Sequence, residues 1–152
     1  MKRWHWLLPC TLACGAVAQA DTLIDASEPD TLVTLLQTHG EAVMDRDAVG
    51  DPLIIGQFQG AYYTISFYGC IRGHSCQDLM FNAAWENNGI ELATINQWNS
   101  NNRYGKAFFD DVGDPTIEMA VNLNWGVSRD NFMDTVEWWF ASMQKFSQEI
   151  GY

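Results

Sequence analysis

The chain has 152 residues, with 19 acidic and eight basic side chains, a formal net charge of −11 and 47% hydrophobic residues. So acidic a surface repels phosphate backbones and anionic lipid, which counts against nucleic acid and membrane surfaces as partners. The length suits one domain with one core.

Lys2 and Arg3 open the chain, an apolar run from Trp6 to Val17 follows, and Ala18-Gln19-Ala20 closes the segment. This basic, apolar, small-residue order is that of a secretory signal peptide, and the run is too short to span a bilayer. Cleavage is expected after Ala20. Residues 1–20 are then the signal, and residues 21–152 are one domain in the periplasm or outside the cell, with no membrane insertion. Thr11 stands where a large aliphatic would precede a lipidated Cys14. Without Lys2 and Arg3, six basic residues face 19 acidic ones, a net of −13. Cys10 and Cys14 leave with the signal. Cys70 and Cys76 remain, and an even pair in an exported chain reads as a disulfide.

The first helix is expected to start with Ser27 as N-cap and Pro29 in its first turn. Leu32, Leu35 and Leu36 form its buried stripe, His39 continues that stripe, and Gly40 ends it as a C′ residue. A weak strand over 41–47 and a turn at Gly50-Asp51-Pro52 follow. The runs 53–59, 61–69 and 77–85 are rich in β-branched and aromatic residues and read as strands, with a Gln59-Gly60 turn between the first two.

If Cys70 and Cys76 face each other across a hairpin, Phe67 opposes Leu79, Ile65 opposes Phe81 and Tyr63 opposes Ala83. The large residues Tyr63, Ile65, Phe67, Leu79 and Phe81 then share one face, and the even-numbered cysteines lie on the other with Tyr68, Ser66 and Met80.

A second helix spans about 91–101, with Leu92, Ile95 and Trp98 on one face, and frays in an asparagine-rich end. After it comes a strand pair joined through Asp110-Asp111-Val112-Gly113-Asp114. Ile117, Met119, Val121 and Leu123 alternate with polar or small residues, so that strand buries one face. The adjacent Phe108 and Phe109 leave open which ring points inward. Ser128 is expected to cap a last helix to about Ile150, with Phe132, Val136, Trp139, Phe140, Met143, Phe146 and Ile150 as its stripe. Trp138 and Met133 fall beside that stripe. No internal repeat is evident.

Little of this reads as catalytic chemistry, and no cofactor or metal is expected. Cys70, His74 and Cys76 in one tight hairpin do not form a tetrahedral cage. Asp110, Asp111 and Asp114 lack the twelve-residue calcium loop and its glutamate, and turns favour Asp and Gly for backbone reasons. Asp45, Asp47 and Asp51 lie near a turn. Asn96, Trp98 and Asn99 form a polar and aromatic cluster that serves either the helix end or recognition.

The segments Ile95-Asn96-Gln97-Trp98-Asn99, Arg103-Tyr104-Gly105-Lys106-Ala107-Phe108, Gly113-Asp114-Pro115, Glu118 to Leu123 and Gly126-Val127-Ser128 resemble the YbjN family, labelled as regulators of bacterial sensory transduction. Gly50-Asp51-Pro52 and Phe67-Tyr68-Gly69-Cys70 look like its exported, disulfide-bearing branch. Glu41 and Trp125 depart from the pattern, an aromatic and a glycine being commoner there. The resemblance implies an α+β fold like that of type III secretion chaperones: an antiparallel sheet interrupted by a helix, with N- and C-terminal helices. It carries over no catalytic residue.

The expectation is a non-catalytic periplasmic module that binds a protein, either an unidentified partner or a second copy of the chain. Its candidate contact residues are Trp138, Met133, Asn96, Trp98 and Asn99, with an acidic rim. The alternatives are a small-ligand-binding protein or weak hydrolase, and a structural protein of the envelope.

Overall fold

The computed structural model describes residues 22–152; the expected signal segment and its expected cleavage point lie outside the described residues. The elements are α1 (Pro29–Leu36), β1 (Glu41–Arg46), β2 (Pro52–Phe58), β3 (Ala61–Tyr68), β4 (Asp78–Ala84), α2 (Leu92–Asn101), β5 (Lys106–Phe109), β6 (Pro115–Asn122) and α3 (Arg129–Glu149). The strands form one antiparallel sheet in the order β1-β2-β3-β4-β6-β5. This is the expected α+β architecture, with α2 inserted between strands. Among the described residues no helix is long and apolar enough to cross a membrane.

The hairpin of β3 and β4 takes the expected register, with Phe67 opposite Leu79 and Ile65 opposite Phe81. Tyr63, Ile65, Phe67, Leu79, Phe81 and Ala83 are all buried on the shared face. Period-two alternation makes any one-residue slip turn this whole set toward water, so the register is held by burial. Cys70 and Cys76 are bonded. Cys76 is buried rather than on an open face, because Gly69, at φ +67°, turns the chain out of the strand before the cysteines are reached. The alternation does not extend into that loop.

On the buried face lies α3, held at its start by Ser128, whose Oγ accepts from the Asn131 N–H at 3.2 Å. All seven residues of its expected stripe are buried. Phe140 stacks on Phe58 at 4.0 Å and meets the edge of Tyr63 at 5.3 Å; Trp139 lies 5.4 Å from Phe81; Phe146 touches both Trp85 and Trp98. Each such side chain removed from water contributes about 1.5–3 kcal/mol before entropy is counted. The core is therefore a helix laid across strands β2, β3, β4 and β6, with α1 and α2 closing its flanks.

Four local expectations are corrected. Glu28, not Ser27, occupies the N-cap of α1 and makes no side-chain cap. Ser27 instead directs its hydroxyl and N–H to Asp25 Oδ1, at 2.6 and 2.8 Å, a local bond that competes with helix capping. Gly40 is not a left-handed C′ residue. It is required because a Cβ there would strike the Gln57 carbonyl of the neighbouring strand. Leu92 is 61% exposed, so α2 buries only Ile95 and Trp98.

The fourth correction concerns repetition. Gly40-Glu41-Ala42 opens β1 and Gly105-Lys106-Ala107 opens β5, the two edge strands, and each follows a helix. Each then ends in the same turn, Asp47-Ala48-Val49-Gly50-Asp51-Pro52 or Asp110-Asp111-Val112-Gly113-Asp114-Pro115. In both, the first Asp N–H donates to the last Asp carbonyl (2.9 and 3.0 Å), and the Gly N–H donates back to the first Asp carbonyl (3.1 and 3.0 Å). In both, Oδ1 of the first Asp accepts from the Val and last Asp N–H groups, at 2.8–3.0 Å. The two valines are each 83% exposed at the turn tips. The chain thus contains a helix-strand-strand unit twice, at opposite edges of the sheet. Since β1 has six residues and β5 four, no single period relates the two copies.

Phe109 packs against the core, while Phe108 turns to the other sheet face beneath the Lys106 ammonium, 5.0 Å from its ring centre. Trp125 adopts φ +73°, the left-handed region that glycine enters without a Cβ penalty, which accounts for glycine being the commoner residue there.

Candidate functional site

The C-terminal end of α2 is built around Trp98. Its ring is buried, and Nε1 donates to the Gly105 carbonyl at 2.7 Å. One residue on, Asn99 bonds both backbone polar groups of Ala107. Asn102 donates from its backbone N–H and from Nδ2 to the Trp98 carbonyl, both at 3.0 Å, ending the helix in the extended conformation. These bonds hold the segment 102–105 against α3.

Across the seam α3 presents Trp138, Ala141 and Lys145, at the three- and four-residue steps that share a helix face. Trp138 is 42% exposed and lies against the Tyr104 ring, centroids 4.8 Å apart and planes tilted by 34°. The Arg103 guanidinium lies 5.7 Å from the Tyr104 ring centre. Lys145 Nζ donates to Asn102 Oδ1 at 2.7 Å and sits 5.8 Å from the Trp98 ring centre. Between them is a cleft of about 200 Å³ lined by Trp98, Asn102, Arg103, Tyr104, Trp138 and Lys145. Among the described residues no carboxylate lines it, and the ion pair found is elsewhere, between Lys106 and Glu118 at 2.6 Å. The expected acidic rim is absent at this place: two cations stand there instead.

The expected contact residues are thus divided. Trp138 stands at the cleft, and Trp98 contributes a ring surface from the core. Asn99 serves strand β5. Asn96 is exposed, its carbonyl accepting from the Ser100 hydroxyl at 2.9 Å, outside the cleft. Met133 is half-buried against the core. Sequence reasoning missed Arg103, Tyr104 and Lys145. Lys145 carried a signal, since it falls two helical turns after Trp138.

Other chemistry-bearing residues have structural work. Asp47 and Asp110 organise the two repeated turns. His74 is exposed, and its backbone pairs with Ile71 inside the disulfide loop. No group of three potential metal-ligating side chains occurs among the described residues. Burial pushes the Tyr63 phenol up to about 12, so it remains a neutral packing group at ordinary pH.

A two-layer α+β module with a cation and aromatic cleft at one helix seam is the class that fold and site define. The chain belongs to the YbjN family: the family model described as "Putative bacterial sensory transduction regulator" matches residues 28–151. Comparison with curated proteins gives no match. Comparison with solved structures gives none either.

Proposed function

We propose that the protein is a non-catalytic regulatory module of the periplasm that docks a protein partner at the seam of α2 and α3. The observation that carries this reading is Trp138. It is a large aromatic left 42% exposed on a helix whose main apolar stripe is buried, and it is braced by the Tyr104 ring. Braced aromatics lose little entropy on binding and commonly anchor protein interfaces. The periplasmic address rests on the signal-like order of residues 1–20 and agrees with the Cys70–Cys76 bond.

The test is site-specific photo-cross-linking in the cell envelope, with benzoylphenylalanine placed at position 138 and, as a control, at the exposed turn position 112. A discrete adduct from 138, absent from 112 and weakened by Tyr104→Ala, is the expected result. An adduct of twice the chain mass identifies a second copy as the partner. No adduct at 138, or the same adducts from both positions, overturns the reading.

A further inference from the structure

We infer that the cleft between α2 and α3 receives a carboxylate, carried by an acidic residue that lies beside an apolar one in the docked protein segment. This rests on the docking reading above and names its ligand chemistry. Arg103 and Lys145 are two of only six basic residues among those described, in a chain with 19 acidic ones. Neither has a carboxylate within ion-pair distance among the described residues. Of the six, only Lys106 is ion-paired among the described residues, so what marks Arg103 and Lys145 is their convergence on one cleft that no carboxylate lines. Asp134 and Glu137 lie on α3 just before Trp138, yet neither lines the cleft.

Both cations are positioned before any ligand arrives. Lys145 is held by Asn102 Oδ1 and the Trp98 ring, and Arg103 by the Tyr104 ring. Ring contact leaves the Arg103 N–H groups, and those of Lys145 not given to Asn102, able to donate, and charge-assisted bonds from a guanidinium and an ammonium to one carboxylate are stronger than neutral ones.

The cleft, at about 200 Å³, holds one side chain and is smaller than the usual pocket for a small-molecule ligand. The net negative charge of the protein also opposes capture of a free anion from a distance. A carboxylate on a segment that also covers Trp138 gains apolar contact to offset that repulsion. The geometry therefore favours an acidic and apolar pair in a peptide over an isolated acid.

The experiment is an NMR titration of the full chain labelled with nitrogen-15, followed at the tryptophan indole N–H signals. The probes are the blocked peptides Ac-Gly-Glu-Phe-Gly-amide and Ac-Gly-Gln-Phe-Gly-amide, sodium acetate and inorganic phosphate. The Glu peptide should shift the Trp138 signal saturably and bind about fivefold more tightly than the Gln peptide, the value of one partly exposed charge-assisted contact. Acetate should bind more weakly than either peptide. The double variant Arg103→Gln with Lys145→Gln, shown folded by its dispersed spectrum, should bind both peptides equally.

Equal binding of Glu and Gln peptides by the natural chain, no saturable shift with any probe, or phosphate as the tightest ligand would each overturn the inference. The two readings fail separately. A position-138 adduct without Glu preference leaves docking standing and removes only the carboxylate. Glu preference without an adduct leaves an anion cleft with no docked partner.

Discussion

Asn99 makes to Ala107 both hydrogen bonds that a neighbouring strand would make: Oδ1 accepts from the Ala107 N–H at 2.8 Å, and Nδ2 donates to its carbonyl at 2.9 Å. Since β5 is a sheet edge, this side chain closes part of a surface that would otherwise invite another strand. The opposite edge is closed less fully, Gln37 Nε2 donating to the Ala42 carbonyl at 2.9 Å. The paired roles follow from the repeated helix-strand-strand unit.

Asn99→Leu should therefore lower unfolding free energy by about 1–3 kcal/mol, because two partly buried backbone groups lose their partners. Asn99→Asp should cost nearly as much, since a carboxylate cannot donate to the Ala107 carbonyl. Urea denaturation measures both, and amide exchange at Ala107 should accelerate in Asn99→Leu, whereas Asn99→Asp keeps an acceptor for that N–H. A change within experimental error for Asn99→Leu would mean that water replaces the side chain without loss.

Two glycines with similar backbone angles should respond differently to alanine. Gly105 and Gly113 adopt φ of +76° and +90°. A Cβ at Gly113 meets nothing, whereas one at Gly105 runs into the Ile117 side chain. Gly113→Ala should cost about 1 kcal/mol from backbone strain alone. Gly105→Ala should cost about 3 kcal/mol, the steric term being added. Thermal melts of the two variants separate these contributions.

Reducing the Cys70–Cys76 bond should remove about 2 kcal/mol, the chain-entropy value for so short a loop. The register of β3 and β4 should survive, because it is also held by the buried pairs Phe67/Leu79 and Ile65/Phe81. Cross-strand NOEs in the Cys70→Ser, Cys76→Ser double variant check this. Their disappearance would give the bond a larger share in specifying the fold.

Alkaline pH should expose the burial of Tyr63. Its pKa rises from 10.0 to about 12 in the folded state, so the folded chain holds the phenolic proton more tightly than the unfolded one. The resulting stability is fully present below pH 10 and is lost as the pH climbs from 10 towards 12. Absorbance at the phenolate band should show one of the five tyrosines titrating last, and Tyr63→Phe should remove that step.

Trp98 and Trp139 are both fully buried; Trp98 donates its indole N–H to Gly105, whereas the Trp139 Nε1 has no hydrogen-bond partner among the described residues. Trp98→Phe orphans a carbonyl as well as leaving a void. It should cost about 1 kcal/mol more than Trp139→Phe in urea denaturation. An equal cost would show that the Gly105 carbonyl finds water once the indole is gone.

The β3 and β4 register, the one-sided burial of β6 and the stripe of α3 were all legible from residue order. Each depends on a periodicity that a strand or helix carries along its own length. The repeated Asp-x-Val-Gly-Asp-Pro turn was present in the same order but hidden by unequal edge strands, and became plain only when its hydrogen bonds were seen twice. Leu92 keeps helical spacing with Ile95 and Trp98, yet it is 61% exposed, so periodicity alone placed it wrongly.

The cleft belongs wholly to the tertiary level. Arg103 and Tyr104 follow the end of α2, while Trp138 and Lys145 sit more than thirty residues later on α3, and local pattern is silent about which surfaces meet. Packing of Phe146 against Trp98 and Trp85 sets how α3 lies on the sheet. That placement brings two cations and two exposed rings to one seam, an adjacency created by excluding water between helix and sheet and invisible in the order of the residues.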